Sequence, residues 1–326
     1  MTFRSWLQVL LLAVLIAGST WWAFREADLR GMFELLRTVS VLPLVAATFI
    51  VVMSHVVRAV RWQWLFPAGS QHVSLWARFS SVMIGYAWNT IIPRSGEVVR
   101  PFILSHRSRL DLTVSVTSVI VERVIDVVTL LVGLFAAGVL AQSVLAALLP
   151  QSSVSGLAVT LVVPILILIT LVAVLAFTPI ARRLPFIGRA LAAIRALTGG
   201  RRWTSVGVST LVLWLLYAIP MMFIAMSLGL PHPSSVAQAF LLLIVLSVGV
   251  TIAPTPGAVG VYHAFCATAL AVMFGYSSTE GVAFAMVAWL VNYGSAVVVG
   301  GACFVWELRH GISLDDIRAL RRNARP

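Results

Sequence analysis

Residues 41–65 read VLPLVAATFIVVMSHVVRAVRWQWL, and this run has no Asp, Glu, Lys or Arg before Arg58. About 20 mostly apolar residues are enough for an α-helix to cross the ~30 Å hydrocarbon layer of a membrane. Five further runs have the same character, at residues 6–24, 112–149, 156–177, 203–230 and 281–306. The sequence therefore predicts an all-α fold, a polytopic transmembrane helix bundle.

The composition excludes a sizeable soluble domain. Of the 326 residues, 60% are hydrophobic and 10% are charged, whereas a soluble domain carries about a quarter charged residues. We expect a single integral membrane domain over residues 1–326. The two cysteines, Cys266 and Cys303, lie inside apolar runs, so the sequence predicts no disulfide framework, no metal site and no cofactor.

The basic residues indicate the orientation of the chain. All 23 are arginines, against 11 acids, and they are concentrated in short segments between apolar runs. The positive-inside rule places such segments in the cytoplasm, so we expect no nucleic-acid partner. Residues 179–203 contain six arginines and no acid, and residues 307–326 form a second basic segment, a cytoplasmic tail. We expect a multi-pass protein of the cell (inner, cytoplasmic) membrane with both termini cytoplasmic, and segment 179–203 is a candidate docking site for a partner enzyme or a second copy.

Two other apolar stretches, at residues 73–109 and 234–273, are broken by proline and glycine. The orientation of the remaining runs is consistent only if each broken stretch enters and leaves the membrane on the same side, as a re-entrant hairpin. Residues 41–149 and 203–306 then form two repeat units of inverted topology, each with a re-entrant broken-helix hairpin. Transporters with such repeats bind substrate near the membrane midplane, between the broken helices.

The first break carries charged and polar residues. Arg94 and Arg100 offer planar guanidinium groups that suit phosphate oxygens, and Glu97 lies between them, where it is expected to hold one of them. The alternative is an ordinary cytoplasmic loop whose charges pair with one another. The residues of this motif are Asn89, Pro93, Arg94, Gly96, Glu97 and Arg100.

The run at 112–149 contains Glu122, Arg123 and Asp126. A charge at the centre of a bilayer costs roughly 2.5–3.5 kcal/mol, so these acids are expected to face the bundle interior and pair with arginines. The candidate partners are Arg58, Arg61, Arg94 and Arg123. A purely structural ion-pair network is the alternative to a substrate or proton role. For His55, Arg58 and Arg61, snorkelling towards the membrane surface is also open.

The second break reads APTPGAVG at residues 253–260. No continuous helix survives this sequence, and a new helix starting near Gly260 would offer its unpaired amides to an anion. Pro256 and Gly257 would shape this site, and His263 would lie in the first turn, where it could titrate near neutral pH. The alternative for His263 is a hydrogen-bonded packing residue.

In this order, these residues resemble the transmembrane region of the lysylphosphatidylglycerol synthase and flippase-like family. The matching pieces, between about residues 51 and 271, are Arg58 to Trp62, Asn89 with Pro93, Arg94, Gly96, Glu97 and Arg100, then Glu122, Arg123 and Asp126, and finally Pro254, Pro256, Gly257 and Gly260. The resemblance implies a membrane protein that moves a lipid or lipid-linked headgroup between leaflets.

The chain departs from this family pattern in two ways. Ala258 replaces a glycine and His263 stands where the family has an acid. If that acid pairs with a cationic headgroup in the family, we expect this protein to handle another lipid. The soluble aminoacyltransferase domain of the full synthase has no counterpart in the sequence, so we do not expect synthesis of aminoacylated lipid.

We therefore predict a lipid transporter or flippase for an anionic or zwitterionic phospholipid or a lipid-linked headgroup, rather than an enzyme. Alternating access would come from rocking one repeat unit against the other. The alternatives are a membrane-embedded enzyme acting on a lipid phosphate, or an accessory scaffold for a glycosyltransferase. The predicted substrate-binding residues are Asn89, Arg94, Glu97, Arg100, Glu122, Arg123, Asp126, Pro256, Gly257 and His263, with His55, Arg58 and Arg61 as further candidates and no catalytic residue.

Overall fold

The computed structural model describes residues 3–66, 73–148, 200–252 and 255–310. The predicted run at 156–177, the segment at 179–199, Pro254 and residues 311–326 lie outside these ranges. Within them the chain is helical and has no β-strand. The helices are α1 (Phe3–Phe24), α2 (Leu29–Arg37), α3 (Val41–Trp64), α4 (Leu75–Ile91), α5 (Gly96–Ser108), α6 (Leu112–Leu148), α7 (Gly200–Ser227), α8 (Val236–Ile252), α9 (Val261–Phe274), α10 (Ser278–Trp289) and α11 (Ser295–His310).

The prediction of an all-α membrane protein is confirmed. Four helical stretches of the described chain are long and apolar enough to cross a membrane. They are Val41–Trp64, Arg202–Ser227, Pro256–Phe274 and Ser278–His310. Many large apolar side chains on their outer faces are exposed, such as Phe49 and Leu211, as expected where lipid is the solvent.

The last predicted run is longer than its apolar residues indicate. It begins at Ser278 because the Ser277 hydroxyl accepts from the Glu280 amide while the Glu280 carboxylate accepts from the Ser277 amide, a capping box. A π-helical turn, Leu290–Gly294, joins α10 to α11. The helix then continues to His310, so residues 307–310, assigned above to the tail, are helical.

The first broken stretch forms two short helices, α4 and α5, which pack against each other. Arg94 adopts a positive φ of 61° between them. Asn89 Oδ1 accepts a hydrogen bond from the Gly96 amide at 2.7 Å, and a Cβ on Gly96 would overlap the carbonyl oxygen of Gly85. With 17 and 13 residues, these helices are only about 26 and 20 Å long. Neither helix alone spans the apolar layer, which agrees with the re-entrant hairpin, and that topology stays a prediction.

The second broken stretch runs from α8 through a short 3-10 turn, Pro256–Ala258, into α9. Gly257 and Gly260 both have positive φ values, of 56° and 78°. Ala258 adopts φ 54°, a conformation in which a side chain costs roughly 1–2 kcal/mol and glycine does not. A Cβ on Gly260 would overlap Ser19 of α1, so α1 closes over the start of α9.

The closest helix packing joins the two predicted repeat units. Helix α3 packs along α7, and α4 packs along α11. A Cβ on Gly300 of α11 would overlap the Met83 carbonyl of α4, so these backbones are nearly in contact. The units 41–149 and 203–306 are therefore interlocked, and their inverted-repeat relation stays a prediction.

Candidate functional site

Five charged side chains from three helices form one network in the interior of the bundle; we call it the charge cluster. Arg58 donates to Glu122 at 2.6 Å and to Asp126 at 3.3 Å. Arg61 donates to the same two carboxylates, at 3.1 Å and 2.7 Å. Arg100 donates to the other Glu122 oxygen at 2.6 Å. The three arginines and Glu122 are at most 4% exposed, and Asp126 is 17% exposed.

Helical spacing brings these groups together. Arg58 and Arg61 are three residues apart on α3, and Glu122 and Asp126 are four residues apart on α6, so each pair shares one face of its helix. The proline- and glycine-broken hairpin then brings Arg100, on α5, against Glu122. One carboxylate thus accepts from three guanidinium groups. Such buried carboxylates and guanidinium groups stabilise each other only as a complete set.

Polar groups on neighbouring helices complete much of the cluster. Arg58 Nε donates to the Tyr217 hydroxyl at 3.0 Å, and Arg61 donates to Thr210 Oγ1 at 3.2 Å, both on α7. The Arg58 guanidinium also lies 5.6 Å from the centre of the Tyr86 ring. Helix α7 therefore supplies two further hydrogen-bond acceptors to the arginines of α3.

The Trp62 ring packs against the Arg100 guanidinium. The Arg100 guanidinium lies 3.7 Å from the centre of the Trp62 ring, a cation–π contact. The buried indole Nε1 donates to Ser118 Oγ of α6 at 2.8 Å. Trp62 is completely buried, so the ring cannot move away without opening a cavity.

We expect Trp62→Phe to lower the free energy of unfolding by about 1–2 kcal/mol, because the indole hydrogen bond and part of the packing volume are lost. Thermal unfolding in detergent measures the change. Trp203→Phe is the matched control, since Trp203 is 40% exposed and should change stability by less than about 0.5 kcal/mol. Equal effects of the two substitutions would contradict the role assigned to Trp62.

Exposure rises from the cluster towards the edge of the bundle. Glu122 is 1% exposed, Asp126 17%, Arg123 38% and Glu97 42%. Arg123 lies 3.3 Å from Glu97 and 3.8 Å from Asp126. We call Glu97 and Arg123 the rim. Together, the rim and the charge cluster form a continuous line of charged groups from the surface inward.

Glu97 and Arg94 have other partners in the structure than the sequence predicts. Glu97 was expected to hold Arg94 or Arg100, but it faces Arg123, because Arg100 turns inward to Glu122. Arg94 was a candidate partner for the buried acids; instead it is exposed and donates to the Thr251 carbonyl of α8 at 3.3 Å.

Several buried donors have no hydrogen-bond partner among the described residues. They include Arg61 Nε and Arg100 Nε within the cluster. His55 Nδ1, on the same helix as Arg58, is also without one, and the His55 ring packs 4.6 Å from that of Tyr86. Buried polar groups are normally satisfied, so these donors lack a partner that the described residues could supply.

The two broken segments meet where α4 ends, beside the turn that precedes α9. A Cβ on Gly257 would contact the backbone of Thr90 at 3.5 Å, and Trp289 Nε1 donates to the Gly257 carbonyl at 2.7 Å. Pro256 begins this turn. His263 packs among aromatic rings, 6.0 Å from Trp289 and 6.3 Å from Phe24. The substrate-binding role of His263 stays a prediction.

Sequence reasoning missed a second buried carboxylate. Glu307 of α11 is 1% exposed; it accepts from Ser80 Oγ of α4 at 2.7 Å and lies 3.5 Å from Arg107 of α5. Nearby, the buried Arg78 donates to the Ala59 carbonyl and to Gln63. In the sequence, Glu307 is a single acid at the end of an apolar run, and this pattern is equally typical of a helix end in water. Its partners lie more than 190 residues away and could not be inferred.

Among the described residues, no group of three or more His, Cys, Asp or Glu side chains could hold a metal ion. The chain matches the family described as the lysylphosphatidylglycerol synthase TM region over residues 6–300. No curated protein and no solved structure gives a significant match. Since the family match covers most of the 326 residues, with the charge cluster and both broken segments inside it, this chain belongs to the lysylphosphatidylglycerol synthase transmembrane-region family.

Proposed function

We propose that this protein is a lipid transporter that moves an anionic or zwitterionic phospholipid, or a lipid-linked headgroup, between the leaflets of the cell membrane. The observation that supports this most is the charge cluster: three arginines buried among transmembrane helices, with unpaired N–H groups and, among the described residues, two carboxylates. Intramembrane ionisable groups are costly, and they typically mark the path of a polar substrate. We further propose that both termini are cytoplasmic.

The rim and the cluster suggest how a headgroup moves. A lipid entering at Glu97 and Arg123 would exchange its water shell for guanidinium donors as it moves towards Glu122. Its acyl chains stay in the lipid beside the bundle, where the outer faces are apolar. Asn89 and Gly96 keep the hairpin backbone in place beside this route.

Hydrogen bonds between helices of the two halves of the chain restrict the motions by which the protein could open to one side of the membrane and then to the other. Arg58 to Tyr217 and Arg61 to Thr210 join the first predicted unit to the second, and Ser80 to Glu307 joins the first unit to the last turns of α11. Rocking one whole unit against the other would break these bonds together. We therefore propose that a body smaller than one whole unit moves.

A leaflet-exchange assay tests the transport proposal. Purified protein is placed in vesicles with labelled phospholipid, and the fraction of label reaching the other leaflet is measured over time. We expect Arg100→Gln to slow exchange about tenfold or more, because each lost charge-assisted hydrogen bond is worth that ratio. The matched control is Arg30→Gln in α2, whose side chain is 91% exposed; it should exchange lipid at the wild-type rate.

Other outcomes of the exchange assay would support the enzyme or the scaffold function instead. A covalently changed lipid would support the embedded enzyme. No exchange by folded wild-type protein, together with a co-purifying glycosyltransferase, would support the scaffold. Either result would overturn the transport proposal. Docking of a partner or second copy at segment 179–203 remains part of the scaffold proposal; of that segment's arginines, Arg202 donates to the Phe66 carbonyl.

A further inference from the structure

The charge cluster is not electrically neutral. Three guanidinium groups, those of Arg58, Arg61 and Arg100, face two carboxylates, those of Glu122 and Asp126. Arginine does not lose its proton in proteins. The cluster therefore carries an excess of one positive charge. The rim adds one arginine and one glutamate. Among the described residues, the cluster and rim together therefore still carry an excess of one positive charge.

An unpaired charge away from water is strongly unfavourable, and a group that can titrate escapes this by becoming neutral. Arginine has no such escape. The excess therefore calls for one negative charge from a ligand. The unpaired Arg61 Nε and Arg100 Nε, both buried, are donors that would meet this anion.

We propose that the buried part of the substrate is a monoanion, a phosphodiester headgroup without an ammonium group. This inference rests on the proposed transport function and names its substrate class. A phosphodiester carries one charge and offers oxygens that match guanidinium geometry. A zwitterionic headgroup would bring a cation back into the cluster and restore the excess. A phosphomonoester, with close to two charges above its second pKa of about 6, would leave an excess negative charge.

Binding in detergent tests the charge rule separately from transport. The protein is titrated with short-chain phosphatidylglycerol, phosphatidylethanolamine and phosphatidic acid at pH 8, and thermal stabilisation gives each dissociation constant. We expect phosphatidylglycerol to bind about tenfold more tightly than the other two, the ratio for one charge-assisted hydrogen bond. Equal binding of all three, or tighter binding of phosphatidylethanolamine, would overturn the inference. The deacylated headgroup, glycerophosphoglycerol, is the soluble probe: binding as tight as that of the lipid would assign the site to a free solute instead.

Two substitutions change the excess positive charge of the cluster in opposite directions. Asp126→Asn raises it to two, so the preference should move to phosphatidic acid. Arg61→Gln lowers it to zero, so the preference for phosphatidylglycerol should disappear. Each variant tests the rule if the other fails to fold. The control is Glu34→Gln on α2, an exposed residue whose loss should leave the preference unchanged. An unchanged preference in both cluster variants would overturn the inference.

The two proposals fail in different ways. If phosphatidylglycerol binds selectively but wild-type protein does not exchange it between leaflets, transport is wrong and the charge rule stands. If all three lipids exchange at the same rate and bind equally, transport stands and the charge rule is wrong. No binding and no exchange would overturn both.

Discussion

Replacing Glu122 by glutamine is expected to lower the free energy of unfolding by about 3–5 kcal/mol, the cost of removing one partner from a buried ion network. Glu122 accepts from Arg58, Arg61 and Arg100 at once. The substitution raises the positive excess of the cluster from one to two charges without changing its shape. Unfolding by dodecyl sulfate in mixed micelles, followed by circular dichroism, measures the loss.

The control for this prediction is Glu34→Gln in α2. Glu34 lies 3.6 Å from Arg30, and its side chain is 67% exposed, so its loss should cost less than about 1 kcal/mol. If the two variants unfolded at the same denaturant concentration, Glu122 would not be central to the cluster, and the burial assigned to it would be wrong.

The second large effect is expected at the crossing of α4 and α11. Gly300→Ala should destabilise the protein by about 3 kcal/mol, because the new methyl group overlaps the Met83 carbonyl and the Ala87 side chain. The backbone atom cannot rotate away as a side chain can. Thermal unfolding in detergent again provides the measurement, with helix content checked first.

Gly301 provides the matched control because it is the next residue in the same helix. A Cβ there meets nothing within 4 Å. Gly301→Ala should therefore leave stability unchanged or raise it by up to about 1 kcal/mol, the usual gain for alanine over glycine in a helix. A loss of stability as large as that of Gly300→Ala would mean that the close approach of α4 does not distinguish the two positions, and the packing explanation would be wrong.

Local patterns were enough to predict most of the helices. The run at 41–65 became α3 and the run at 112–149 became α6, each within one residue of the predicted ends. The reason is that hydrophobic length depends only on neighbouring residues. The pairing of the buried acids with Arg58 and Arg61 also follows from local reasoning, because a carboxylate inside a membrane needs a cation and few are available.

The remaining features depend on distant contacts that no local pattern contains. Glu97 turned to Arg123 because Arg100, three residues on, was already held by Glu122 and Trp62. Arg94 reached α8 through a positive φ, which is uncommon for arginine and has no sequence signal. Glu307 found Ser80 across the bundle. In each case the deciding partner comes from another helix.

The prolines and glycines predicted the break at 253–260, and the family resemblance added one departure within it. Ala258 stands where the family has a glycine, yet it keeps the positive φ that glycine would adopt. Ala258 therefore holds this conformation at a cost of roughly 1–2 kcal/mol. The Trp289 hydrogen bond to the adjacent Gly257 carbonyl helps to hold that turn.

Glu122 of α6 pairs with arginines of α3 and α5, and the pairing with α3 affects how α3 is inserted into the membrane. Arg61 is made 61 residues before Glu122, which at 5–20 residues per second is a delay of about 3–12 s. During that interval α3 carries two arginines with no counter-charge, and Arg61 lies in its last turn. Releasing α3 into lipid would cost at most roughly 2.5–3.5 kcal/mol for Arg58, the arginine farther from the helix end. Helix α3 is therefore expected to wait beside the translocon until α6 emerges, so that the two enter the bilayer as a pair.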